Sequence, residues 1–206
     1  MTSSERRALA LAGLLAMPPA GRAGPLLDHE TQPEAIESPT PAAFTICADH
    51  GCARRSRVTL PTAAWAPVRH VFAPPPRDAA EERARIAQAI GLLERIVGPL
   101  TDTAHDRAGD LNGFTAPGVQ MDCIDESTNT TTYLRMLEAD GLLAFHRAGE
   151  PQGRGWFVTG FPHWTASVVE RGTGRGWAVD SWFHDNGREP PVVPLAEWRA
   201  GWEPKD

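Results

Sequence analysis

The chain has 206 residues, a net charge of −6, 41% hydrophobic and 22% charged residues. A chain of that length buries a sizeable core without a structural metal, and one domain is expected. The acidic balance, with no Lys/Arg cluster interleaved by aromatics, excludes nucleic acid as the expected partner.

Arg6-Arg7 precede an apolar run over residues 8–17, and small residues follow up to Ala23. That is the pattern of a signal peptide over 1–23, and it implies a periplasmic or secreted protein. The run is far short of the roughly 20 apolar residues a bilayer requires, so no transmembrane span is expected. Residues 24–43 carry Pro25, Pro33, Pro39 and Pro41 among Glu, Thr and Ser, and read as a flexible spacer. The folded domain is expected over 44–206.

Cys47 and Cys52 flank Ala48-Asp49-His50-Gly51, close enough to bridge around the Gly51 turn. In an oxidising compartment the simplest reading is a small-loop disulfide, contributing about 2 kcal/mol. A metal clip of Cys47, His50 and Cys52 is the alternative, without a fourth ligand at recognisable spacing. If the first two pair, Cys123 is left as an odd thiol, which in an exported protein points to reactivity.

A short strand is expected over 57–60 and a short helix over 62–72. After Pro74-Pro75-Pro76, Asp78 caps a helix, with Glu81 at capping-box spacing. Ile86, Ile90, Leu93 and Val97 mark its apolar stripe, Glu82, Arg83 and Arg95 are expected to face out, and Gly98-Pro99 is expected to end it. Residues 105–114 are loop.

At Pro117-Gly118 a turn leads into Asp122-Cys123-Ile124-Asp125-Glu126, then Leu134, Met136 and Leu137, and Gly141. Acidic residues first, apolar residues later and a closing Gly predict a helix with Cys123 in its first turn. There the thiol meets the positive end of the macrodipole and unpaired backbone N–H groups, which favour the nucleophilic thiolate. The competing reading is a buried Cys acting as a small hydrophobe. Thr128, Thr130, Thr131 and Thr132 are poor helix formers, so helicity must come from burial. The face through Cys123, Ser127, Thr130, Leu134 and Leu137 is small near the thiol, letting another layer approach. Asn129-Thr130-Thr131 matches a glycosylation sequon, but it falls inside this helix.

Beyond Gly141 the period becomes two: strands are expected over 156–159, 163–171 and 176–183, with turn chemistry at 172–176. Leu195, Trp198 and Trp202 suggest a final capping turn. The sum is an α+β domain, helices first and an antiparallel sheet after.

A Cys nucleophile needs a base, and the base an orienting group. The last hairpin provides both: His163 near the start of one strand and Asp180 on the next have the parity of side chains on one face. A tight turn at Arg171-Gly172 would set them directly opposite, about 5 Å apart, while a loop over 172–175 would leave roughly 13 Å without a bulge. Asp180 lies among Trp177, Val179, Trp182 and Phe183, where an unpaired carboxylate would be costly.

Taken together, Asp122-Cys123-x-Asp125 opening a helix, then His163-Trp164-Thr165-Ala166-Ser167-Val168-Val169-Glu170 and Gly176-Trp177-Ala178-Val179-Asp180, resemble the transglutaminase-like core. The chain is most similar to its bacterial branch of periplasmic transglutaminase-like cysteine proteinases, over about residues 78–184. The resemblance implies a papain-like arrangement, with a helical Cys packed on an antiparallel sheet bearing His and Asp. Cys123 would be the nucleophile, His163 the base and Asp180 its orienting carboxylate, cleaving amide bonds of a peptide or protein. The Cys123 backbone N–H with Gln120 is a candidate oxyanion hole. The chemistry requires no cofactor. The branch also holds calcium with acidic residues around its Cys; Asp122 and Asp125 match that pattern, while Ile124 stands where an acid is often found. A transamidase, or a non-catalytic exported binding domain of the same fold, remains as an alternative, and a metal protein using His163, His184, Asp180 and Cys123 has no spacing motif behind it.

Overall fold

A computed structural model describes residues 38–110, 118–155 and 162–205. The expected signal peptide, most of the spacer and the strand expected over 156–159 lie outside the described residues. The end of the spacer does not: Pro39 is buried, Thr40 and Ala43 exchange backbone hydrogen bonds, and Leu60 N–H donates to Pro41 O at 2.7 Å. The folded body therefore starts before residue 44.

The described elements make an α+β fold. A hairpin comes first, β1 (Phe44–Ala48) and β2 (Arg54–Val58), paired antiparallel. Three helices follow, α1 (Thr62–Val71), α2 (Ala79–Thr101) and α3 (Cys123–Ala139). The second sheet holds β3 (His146–Ala148), β4 (Gln152–Arg154), β5 (His163–Glu170), β6 (Gly176–Val179) and β7 (Val192–Pro194), with a short helix α4 (Leu195–Arg199) closing the chain. It is antiparallel throughout; β5 is central, with β3 and β4 in succession on one side and β6 then β7 on the other.

Helix α3 is the hub, packed against β5, β1, β3 and α2. Its four threonines are all buried, and Thr131 and Thr132 return their hydroxyls to Ser127 O and Thr128 O, one turn back. Burial on several sides makes a helix of residues that propensity disfavours, as expected. Asn129 is consumed by packing: its Oδ1 accepts from Cys47 N at 2.7 Å and its Nδ2 donates to Cys47 O at 2.8 Å, lacing α3 to β1. Beneath α3, the apolar stripe of α2 (Ile86, Ile90, Leu93, Val97) meets Leu134, Leu137 and one face of β5–β6, Ala166, Val168 and Val179.

Two expectations about α2 are corrected. It runs through Gly98-Pro99 to Thr101 and ends at Asp102 in the left-handed conformation. Proline removes one N–H in a last turn that Thr101 Oγ1→Val97 O and Thr103 N→Gly98 O otherwise secure, and Gly98 is small because Ala104 Cα and Asn186 press on it. Nor do Glu82 and Arg83 face solvent, whereas Arg95 is exposed as expected. Glu82 is fully buried and accepts from the N–H groups of Ala144, Phe145 and His146 and from His146 Nδ1. Arg83 lies over the Trp177 ring and pairs with Glu170 at 3.0 Å, and Arg95 donates to Gly187 O.

Candidate active site

Helix α3 begins with a complete capping box. Asp122 Oδ1 accepts from Ile124 N and Asp125 N at 3.0 and 2.9 Å, while Asp125 Oδ2 accepts from Asp122 N at 3.3 Å. The same two carboxylates also hold the hairpin loop between β1 and β2. Asp122 Oδ2 takes Gly51 N, and Asp125 takes Cys52 N on Oδ1 and His50 N on Oδ2. Asp49, His50, Gly51 and Cys52 are all left-handed there (φ +69, +63, +62 and +59), which turns successive N–H groups towards the two acids. The loop is closed by the Cys47–Cys52 disulfide, so the thiols of a metal clip are spent in a covalent bond although Cys47, Cys52 and Asp125 converge.

All four oxygens of Asp122 and Asp125 therefore face N–H donors, an arrangement suited to anions. As placed, with each oxygen accepting from an N–H, these residues do not fit the calcium ion that the resemblance implies. Capping the Cys123 helix is their work.

Cys123 is the free thiol, buried at the first position of α3. Strand β6 stops at Val179, and the chain turns away through a 3-10 turn at Ser181–Phe183. At the start of β5 the Trp164 backbone N–H is directed to the Cys123 sulfur. Burial pushes the thiol up to about 12, the charges of Asp122 and Asp180 add to that effect, and the Trp164 N–H with the thiol's own helix N–H only partly oppose it. The helix N–H favours the thiolate, as expected, but is outweighed by burial. In a site this buried, desolvation outweighs the dipole, so a thiolate requires a cation formed beside it.

His163 provides an imidazole one residue before Trp164. Its Nε2 lies 2.8 Å from Asp180 Oδ2, and a carboxylate only accepts, so Nε2 carries the proton. Its Nδ1 is left with the lone pair, buried and without a hydrogen-bond partner. The register differs from both sequence-based geometries. Ala166 pairs with Val179, so Asp180 falls level with Thr165 and reaches diagonally to His163. Parity was right and the offset is two residues, the distance a diagonal pair can span. Trp182, Phe183 and Trp198 enclose the imidazole at ring-centroid distances of 4.6, 5.3 and 5.5 Å.

Gln120 is buried, and its amide is divided between Arg107 N, which donates to Oε1 at 3.0 Å, and His105 O, which accepts from Nε2 at 3.3 Å. That makes it a clamp on the 105–107 loop, with one Nε2 hydrogen to spare. His184, offered as a ligand in the metal reading, gives its Nδ1 to Glu189 O.

Two features escaped the sequence reading. Trp198, fully buried on α4, donates its indole N–H to Asp180 Oδ2 at 2.6 Å. The other is a floor of buried acids, Glu94, Asp106 and Glu126. Glu126 hydrogen-bonds to the Asp106 carboxyl and to Ser181, whose hydroxyl meets Thr130 Oγ1 at 2.6 Å. Nothing in local sequence marks either, since each is assembled from separate elements.

The class that fold and site define is an α+β protein with a disulfide-closed hairpin, a buried helical Cys and a hydrogen-bonded His–Asp pair. No family model, curated protein or solved structure matches this chain.

Proposed function

We propose that this chain is an exported cysteine hydrolase of the transglutaminase-like type, cleaving amide bonds in peptides or proteins through Cys123, His163 and Asp180. The observation that carries the reading is the state of His163: Nε2 is fixed by Asp180, and Nδ1 is buried and unpaired. A buried nitrogen without a partner costs about 1–3 kcal/mol, a cost that a general base repays in function. The disulfide suits an oxidising compartment, and no described helix is long and apolar enough to cross a membrane.

In this reading His163 Nδ1 takes the proton of the Cys123 thiol, and the thiolate forms only as one half of an ion pair. The sulfur attacks the amide carbonyl carbon. As the tetrahedral adduct collapses, the C–N bond breaks and the imidazolium gives its proton to the leaving amine. A water, deprotonated by His163, then cleaves the thioester and restores the thiol; an amine in place of water would make the reaction a transamidation. The Cys123 backbone N–H, an orphan donor of the helix start, is the first oxyanion donor, and the spare Nε2 hydrogen of Gln120 the second.

The test is activity-based labelling with an iodoacetamide-alkyne probe at pH 6–7. Wild type should label at Cys123, Cys123→Ala should not, and His163→Ala should label roughly 10²–10³-fold more slowly. Equal rates for wild type and His163→Ala would leave a domain whose thiol is packing, suited to binding rather than catalysis.

A further inference from the structure

Resting on the triad reading, we propose that Trp198 is a positioning residue of the active site, and that the C-terminal helix carrying it is a clasp over the His163–Asp180 pair. Asp180 Oδ2 is the shared atom: it accepts from His163 Nε2 at 2.8 Å and from Trp198 Nε1 at 2.6 Å. Two donors converging on one oxygen fix the carboxylate rotamer, and through it the tautomer and tilt of the imidazole. The Trp198 ring also stands 5.5 Å from the imidazole and is itself fully buried, so it keeps water from the His–Asp bond.

The clasp is tied from the other side of the sheet edge. Arg154, on β4, donates to Trp198 O at 2.5 Å and to Trp202 O at 2.7 Å, and its guanidinium lies 4.6 Å over the Trp198 ring. Arg154 is paired with His163 in the β4–β5 register, so one ladder position holds both the base and the residue that anchors the clasp. The titratable and charged groups that Asp180 faces are His163 on β5, Arg154 on β4 and the Cys123 thiol on α3. Trp198 is the neutral donor among them, able to hold the carboxylate without competing for the imidazole's proton.

The experiment measures the pH dependence of Cys123 alkylation by iodoacetamide in the full chain for wild type, Trp198→Phe and His163→Ala, with far-UV circular dichroism and urea unfolding as controls. Losing a hydrogen bond to a charged acceptor should slow alkylation by Trp198→Phe about tenfold near neutrality. It should also move the His163-dependent inflection upward by about one pH unit, because the carboxylate freed of one donor holds the imidazolium more strongly. A role in packing alone would lower the unfolding midpoint and leave the inflection in place, and that result overturns the proposal. Should Trp198→Phe fail to fold, site-specific replacement of Trp198 by benzothienylalanine, which keeps the ring and removes the N–H, takes its place with the same expected displacement. A wild type without any His163-dependent inflection overturns the triad itself and the role of Trp198 with it; a wild type that has one, unchanged in the Trp198 variants, overturns only the role of Trp198.

Discussion

At the scale of single residues, the behaviour of Cys123 is set by a contest between a helix terminus and burial, and burial wins. A thiol pushed up to about 12 is inert alone, so under the proposed function its reactivity near neutral pH has to come through His163. Replacing Asp180 tests the relay from the other end. Asp180→Asn keeps the shape but can present an N–H to Nε2, turning the imidazole to the wrong tautomer, and a fall of roughly 10³–10⁴-fold in labelling rate is expected. A fall of less than tenfold, by mass spectrometry of the labelled peptide, would remove the orienting role.

Among elements, the hairpin β1–β2 acts as a lid on the start of α3. Its disulfide loop supplies N–H groups to both acids flanking Cys123, and Asn129 repeats the connection one turn further along. The double variant Cys47→Ser/Cys52→Ser should lose about 2 kcal/mol in urea unfolding, the value for so short a loop. Free thiols at both positions in protein recovered under non-reducing conditions would contradict the bridge. On the opposite side, Glu82 binds the 144–146 segment into the sheet. Burial pushes its carboxyl up, yet the hydrogen bonds from His146 and from the Phe145 and Ala144 N–H groups outweigh this and hold it below its usual range. Glu82→Ala leaves these donors buried and orphaned, and a loss of about 3 kcal/mol or more is expected. A midpoint within error of wild type would show the segment to be held otherwise.

For the molecule as a whole, buried acids decide how stability depends on pH. Burial raises Glu94 to about 8, Asp106 to about 7 and Asp125 to about 7, and pushes Glu126 well above the usual carboxylate range. These folded values lie above the unfolded ones near 4, so the folded state keeps protons that the unfolded chain has already released. Their contribution is complete below about pH 4 and is lost as pH rises through 7–8, at about 1.4 kcal/mol per pH unit for each proton retained. Glu82 and Asp140 have the opposite sign: held below their usual range, they withdraw stability as pH falls below about 4. The melting temperature should therefore peak near pH 5 and decline towards pH 8, with Glu126→Gln flattening the decline. A melting temperature that is level or rising from pH 5 to 8 would refute this account.

What the sequence determined by itself is everything carried by short-range pattern. Asp78 and Asp122 announce their helices because a cap is a contact over two or three residues. Cys47 and Cys52 announce their bridge by spacing, and His163 and Asp180 share a face because strand parity counts residues. The tertiary structure decided what depends on distant neighbours. The two-residue offset between His163 and Asp180 follows from where the turn closes at Glu170–Arg175. The burial of Glu82 follows from a segment more than 60 positions away coming to rest on it. The capping of α3 by acids that also hold a disulfide loop, and the indole on Asp180, join residues more than 70 and 18 positions apart. No periodicity writes such contacts, because their partners are chosen by packing after the elements have formed.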